Sequence, residues 1–235
     1  MKLSITIILA SLSMLAMAQQ EQQTIVFSDS YTRISAGFSG MQIYSNVNET
    51  KYDTDLFAPG GTISLTYGKK LVEELDHSGA TYMEIGAEFA YNTGSNITEG
   101  SSKYKAETCI DIMSATVPVS LCYKKMLTPQ NYRFVLFGGI SSKYNLSANM
   151  TYQIKGSEKK IEKDMFSKDD MGDNYVAERF QFGLHAGIGL DIDNIYIGYK
   201  INADLMPFHS YTYWDEEVNT RIASHTLSIS FILGK

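Results

Sequence analysis

A chain of 235 residues with a formal net charge of -6 and only 2 cysteines offers no basic footprint for nucleic acid and too few thiols to staple a small secreted domain. Its 16 tyrosines, 18 glycines and 4 prolines are a β-rich composition, because aromatics suit strands and glycines suit bulges and turns. The length accommodates one all-β domain.

The chain begins Met1-Lys2, runs through an apolar stretch from Leu3 to Met17, and reaches Ala16-Met17-Ala18 just before Gln19. A charged start, an apolar run and an A-x-A site predict a secretory signal peptide over 1–18. The alternative is a retained anchor, but the run is shorter than the roughly 20 residues a spanning helix needs. Cleavage after Ala18 predicts an exported protein with an N-terminal periplasmic lead-in over 19–30 and a barrel over 31–235.

Strand patterns then recur. They are expected at about Tyr31 to Ile43, Gly61 to Leu71, Ala80 to Tyr91, Thr108 to Tyr123, Tyr132 to Tyr144, Arg179 to Asp191, Ile195 to Met206 and Ile222 to Leu233. The sixth has the cleanest alternation. Phe180, Phe182, Leu184, Ala186, Ile188 and Leu190 share one face; Arg179, Gln181, Gly183, His185, Gly187, Gly189 and Asp191 share the other. Cys109 and Cys122 lie near the two ends of the fourth strand. At roughly 3.3 Å per residue they stand about 43 Å apart, so two free thiols are expected.

No later segment reads as a spanning helix, and a membrane protein without one must close a barrel. The even strand count and the 10-to-14-residue lengths suit tilted crossings. The expected fold is therefore an all-β, closed antiparallel up-and-down barrel of about eight strands in an outer membrane. A soluble lipocalin-like ligand-binding barrel alternates in the same way with its apolar face inward. The connections favour the membrane. Long loops over 44–60, 92–107, 145–178 and 207–221 alternate with short ones over 72–79, 124–131 and 192–194, so the long ones share one end. The third is charged from Lys155 to Asp173, with few apolar anchors, and is expected to be solvated and mobile.

Two stretches carry a family likeness. Ala115-Thr-Val-Pro118-Val-Ser-Leu-Cys-Tyr-Lys124, a turn, and Tyr132-Arg-Phe-Val-Leu-Phe-Gly138-Gly139-Ile140 resemble the middle of the PorT-like outer-membrane β-barrel proteins of Bacteroidetes, a porin-family group. Phe180-Gln-Phe-Gly183-Leu-His-Ala-Gly187-Ile-Gly189-Leu190 followed by Ile195-Tyr-Ile-Gly198-Tyr199 is similar to that family's next hairpin. The likeness runs in order from about Ala80 onward. It implies an eight-stranded barrel and transfers no catalytic motif. The last aromatic, Phe231, is four residues short of the end, which departs from barrels that finish on an aromatic.

Glu84, Glu88, Arg133, Arg179, His185, Lys200 and Asp204 are assigned to the polar face. An eight-stranded interior is just wide enough for side chains to fill, and buried charges must pair, so a plugged polar network is expected rather than a pore. Tyr211, Tyr213 and Trp214 are assigned to a membrane interface. His209 with Ser210 and Ser224 with His225 flank the last loop. Adjacent strand residues point oppositely, so neither dipeptide makes a nucleophile and base. His209 and His225 meeting across the hairpin, beside Asp215, Glu216 and Glu217, form a weak metal alternative. No catalytic residue, cofactor or metal site is expected. The expected partners are outer-membrane lipid, the barrel assembly machinery and a surface ligand that the sequence does not specify. The expected role is structural or surface-binding through the long loops. The alternatives are a small porin, a lipid-modifying outer-membrane enzyme and a secretion-system accessory.

Overall fold

The structure, a computed structural model, describes residues 27–47, 50–99, 105–127, 132–154, 160–172, 176–213 and 216–233. The expected signal peptide and most of the lead-in lie outside the described residues. The elements are β1 (Ser30–Val47), β2 (Thr50–Glu73), β3 (Gly79–Glu99), β4 (Lys105–Met126), β5 (Tyr132–Ile154), β6 (Lys160–Asp164), the helical turn α1 (Lys168–Met171), β7 (Phe180–Ile192), β8 (Ile195–Asp204), β9 (His209–Tyr213) and β10 (Glu216–Leu233).

Eight of the strands form a ring of antiparallel neighbours, β1-β2-β3-β4-β5-β7-β8-β10, closed by β1 on β10 from Thr32 opposite Leu233 to Val47 opposite Val218. Closure removes the unpaired edges that an open sheet would carry. β6 and β9 are additions, paired to β5 and β10. Every expected strand is one member of this ring.

The apolar side of the ring faces out. Phe38 is 61% exposed and Ile229 57%, while Arg33, Glu84, His185 and Asp204 are buried. A soluble barrel has the opposite arrangement, because an exposed wall of this extent is unfavourable in water. The lipocalin-like alternative is thereby set aside. Among the described residues no helix is long and apolar enough to cross a membrane; strands make the crossing, with lipid against the apolar wall.

The long connections differ from expectation. Segments 44–60, 92–107 and 207–221 are largely hydrogen-bonded strand: β2 starts at Thr50, β3 runs to Glu99, and β9 pairs β10 from His209 to Glu216. Asn, Ser, Thr and Gly there read as loop signals. Yet Thr and Tyr pair well on a sheet, and a register already set in the membrane continues upward without further loop-closure cost.

Segment 145–178 is corrected further. β5 extends to Ile154, β6 pairs back on it, and Met165 and Ala177 are buried in a cluster with Met41, Ile43, Leu56, Ala58, Ile112, Ala148, Phe208 and Ile222. Met165 N–H donates to the Ala148 carbonyl at 2.9 Å, and Ala177 N–H to that of Met165 at 2.8 Å. Met165 and Phe166 are apolar anchors inside the charged run, and they hold it as a cap over the barrel mouth rather than a solvated loop. The part over 155–159 lies outside the described residues.

The short-turn end is closed by a second cluster of Phe27, Tyr31, Ala80, Tyr82, Cys122, Val135, Phe137, Tyr196 and Ile232. Phe27 belongs to the lead-in and is held by Lys70 Nζ donating to its carbonyl at 2.8 Å. In the β2–β3 turn, the Glu74 carboxyl is held down to about 2 by hydrogen bonds from Lys125, Tyr123 and Ser78. A carboxyl whose folded value is depressed contributes above its ordinary range, and that contribution is lost as pH falls through the depressed value. The turn is expected to loosen as pH drops from 4.5 towards 2 while the ring persists. Amide exchange at His77 and Met126, whose N–H groups bond within and onto this turn, checks it.

Candidate functional site

The inward positions of the ring build the only charged layer seen among the described residues of the membrane-spanning section. Four acid–base pairs cross the lumen. Arg33 Nη2 donates to Glu84 Oε2 at 3.2 Å and Lys124 Nζ to Asp191 Oδ2 at 2.7 Å. Lys143 pairs with Asp204, and Lys200 with Glu88. The Tyr31 hydroxyl also donates to Glu84. The two lower cations are further held by rings: the Arg33 guanidinium lies 4.4 Å from the Tyr196 centroid and the Lys124 ammonium 3.8 Å from that of Tyr31, an arrangement in which the ring quadrupole attracts the cation.

Neutral groups fill the rest. Ser120 and His185 share a hydrogen bond at 2.7 Å. Ser141 donates to Asn202 at 2.9 Å, and Asn202 to Asp204 at 3.2 Å. Asn92 donates to Ser39 at 2.9 Å. Asn145 donates to Gln181 at 3.2 Å. Inward glycines make the large rings fit. A Cβ at Gly189 or Gly198 would enter the Tyr196 ring, and one at Gly68 the Tyr31 ring. The space left is a cavity of about 60 Å³ bordered by Arg33, Glu84, Glu88, His185 and Lys200, room for a few waters. The apolar cap lies beyond one end of this layer and the Phe27 cluster beyond the other.

The sequence-assigned residues fall in three places. Glu84, Glu88, His185, Lys200 and Asp204 are in the lumen layer. Arg133 is at the short-turn mouth, its guanidinium 5.1 Å from the Phe27 centroid. Arg179 stands outside the layer at the upper rim, where it donates to the Leu146 carbonyl at 3.1 Å and lies 4.2 Å from the Phe166 centroid; it clamps the cap. Three partners were missed, Arg33, Lys124 and Lys143, and Asp191 was read on the polar face of its strand without being singled out as a charge partner. Their signal was parity. Lys143 shares a face with Arg133, Lys124 with Cys122, and Asp191 with His185.

Tyr211 stacks on His209 with centroids 5.0 Å apart, at the long-hairpin end; Trp214 and the Tyr213 side chain lie outside the described residues. The two histidines do not meet. His209 is opposite Thr220 in the hairpin, whereas His225 is on the outer wall and shares a hydrogen bond with the Tyr199 hydroxyl at 2.7 Å. Among the described residues no group of three His, Cys, Asp or Glu side chains is placed to hold a metal ion. Cys109 and Cys122 are both free thiols.

The profile of a family described as outer membrane protein beta-barrel domain matches residues 17–213. No curated protein matches the chain in sequence. Among solved structures the chain is similar to the outer membrane enzyme PagL, with 13% identity over 82% of this chain and 98% of that one and a TM-score of 0.39. It is similar to the outer membrane protein OprG from Pseudomonas aeruginosa, with 9% identity over 89% and 99% and a TM-score of 0.40. It is also similar to Ail, the attachment invasion locus protein of Yersinia pestis, crystallised with the heparin analogue sucrose octasulfate, with 13% identity over 85% and 99% and a TM-score of 0.30.

Proposed function

We propose, for a chain that belongs to the outer membrane protein beta-barrel domain family, a non-enzymatic role: a barrel with a plugged lumen that acts structurally or by binding at its long-hairpin end. In this reading residues 1–18 direct export, the assembly machinery inserts the barrel, short turns face the periplasm and long hairpins face outward. A PorT-like secretion accessory is a form of the same reading.

One observation carries it. Four lumen cations are each paired with a carboxylate, and chain segments cover both ends. A conducting pore needs a continuous aqueous path, and a cavity of about 60 Å³ is not one. The lipid-modifying alternative needs a nucleophile beside a base. On the lipid-facing wall, the ring of His225 is engaged by Tyr199, and Ser224 points to the other face as the next residue of a strand.

Planar-bilayer recording tests the plug. The purified protein is expected to give no steady ohmic current. A stable, reproducible conductance step per inserted molecule would move the assignment to a small porin.

A further inference from the structure

Residues 27–29 precede the ladder and are nevertheless held in the short-turn mouth. Phe27 is 1% exposed although it belongs to no strand. It clusters with Ala80 and Tyr82 of β3, Val135 of β5, Tyr196 of β8 and Ile232 of β10. The Arg133 guanidinium lies 5.1 Å from its ring centroid, and Arg133 Nε–H has no acceptor among the described residues. The lower charged pair shares these register rows: Lys124 stands opposite Ala80 and Val135, and Asp191 opposite Arg133. A phenyl ring from outside the strands therefore closes the mouth at the level of Lys124 and Asp191.

The polar grip on this segment comes largely from one residue. Lys70 Nζ donates to the Phe27 carbonyl at 2.8 Å and pairs with the Asp29 carboxylate at 3.1 Å. Lys70 N–H donates to the Asp29 carbonyl at 2.8 Å. The Tyr82 hydroxyl adds a bond to the Ser28 carbonyl at 2.9 Å. Glu73 aims the lysine: its Oε2 accepts from Lys70 Nζ at 2.6 Å, and its Oε1 shares a hydrogen bond with His77 Nδ1 at 2.7 Å. The ring needs none of these contacts, because β1 is paired on both sides from Thr32 onward. A segment with few bonds, laid on a fully paired wall, opens at a lower free energy than the wall itself.

We propose that residues 27–29 are a removable cork, with Phe27 as its stopper and Lys70 as its latch. Released, the cork leaves the ring intact and opens a water-filled vestibule walled by Tyr82, Val135 and Tyr196. The floor is the Lys124–Asp191 pair, whose side chains are 3% and 0% exposed while the cork is in place. The vestibule is blind because the charged layer persists above it, and on that point alone the proposal rests on the plugged lumen. A pull on the lead-in, or competition for the Lys70 ammonium, opens the mouth.

The test reads thiol access in the protein refolded in detergent, in a Cys109→Ser, Cys122→Ser background. Ala80→Cys, in the Phe27 cluster, reports on the mouth; Ala148→Cys, buried in the cap cluster at the other end, is the control. A small charged methanethiosulfonate should modify position 80 slowly. Adding Phe27→Ala should raise that rate at least about tenfold and Lys70→Met at least about threefold, with position 148 and heat-modifiable migration unchanged. Rapid modification of position 80 with the cork present, or a Phe27→Ala rate within about twofold of it, overturns the cork. A Lys70→Met rate equal to that of the parent overturns the latch, and equal acceleration at position 148 overturns both by showing a general loosening. Bilayer recording of Phe27→Ala keeps the two readings apart. Faster modification without current supports the cork over an intact plug, whereas faster modification with a steady current keeps the cork and removes the plug.

Discussion

Replacing Glu84 by alanine is expected to destabilise the barrel by about 3–5 kcal/mol, because it strands a buried guanidinium without its counter-charge. The Arg33 and Glu84 side chains are 7% and 3% exposed, so water cannot compensate. Glu84 also accepts the Tyr31 hydroxyl, and that donor would lose its partner as well. The measurement is the urea midpoint of the protein refolded in detergent, read from heat-modifiable migration. The control is the double variant Glu84→Leu with Arg33→Met. Removing both charges of a buried pair is often neutral, so the double variant should recover most of the loss. If Glu84→Ala alone changes the midpoint by less than the equivalent of about 0.5 kcal/mol, a typical surface effect, the network does not hold the barrel and the lumen reading fails.

The second large effect is at the cap. Phe208 is 1% exposed, and its ring packs edge-on against Phe166 at 6.3 Å. Phe208→Ala should cost about 3–5 kcal/mol of local stability. The loss falls on the long-hairpin end and not on the ring, whose lipid-facing wall is untouched. The amides of Met165 and Ala177, which bond inside the cap, should exchange with solvent faster by on the order of a hundredfold or more, since each 1.4 kcal/mol is about tenfold. Insertion and migration should remain normal. Unchanged exchange would mean that β6 pairing holds the segment, and that the cluster is incidental to it.

The ring was legible because lipid and lumen impose opposite demands on alternate residues. β7 keeps Phe180 to Leu190 outward and Gln181 to Asp191 inward without a slip. Above the membrane that contrast ends, because water wets the outside of the hairpins. The sequence from Tyr44 to Gly60 therefore looked like loop although most of it is strand. The cap was hidden for a related reason. Met165 and Phe166 are two apolar residues in a charged stretch, and nothing local says that Met41, Ile43 and Ile222 wait beneath them. Lys200 and Glu88 were both assigned, but two pairs were found by half, Glu84 without Arg33 and Asp204 without Lys143, and the pair of Lys124 and Asp191 was not assigned. A partner across a barrel is set by register between strands, and one strand's alternation does not contain it.

The closure of β1 on β10 also governs time. The Ser35 and Ser230 hydroxyls bond at 2.7 Å across 195 residues of chain. The seam cannot form until nearly the whole chain has been made, so folding is dominated by one of the most distant pairings available to it, and such pairings are slow. Until β10 is in place β1 and β8 are two open edges, each able to pair with a strand of another copy. Raising the chain concentration during refolding in detergent should accumulate strand-exchanged dimers before any loss of monomer stability is seen.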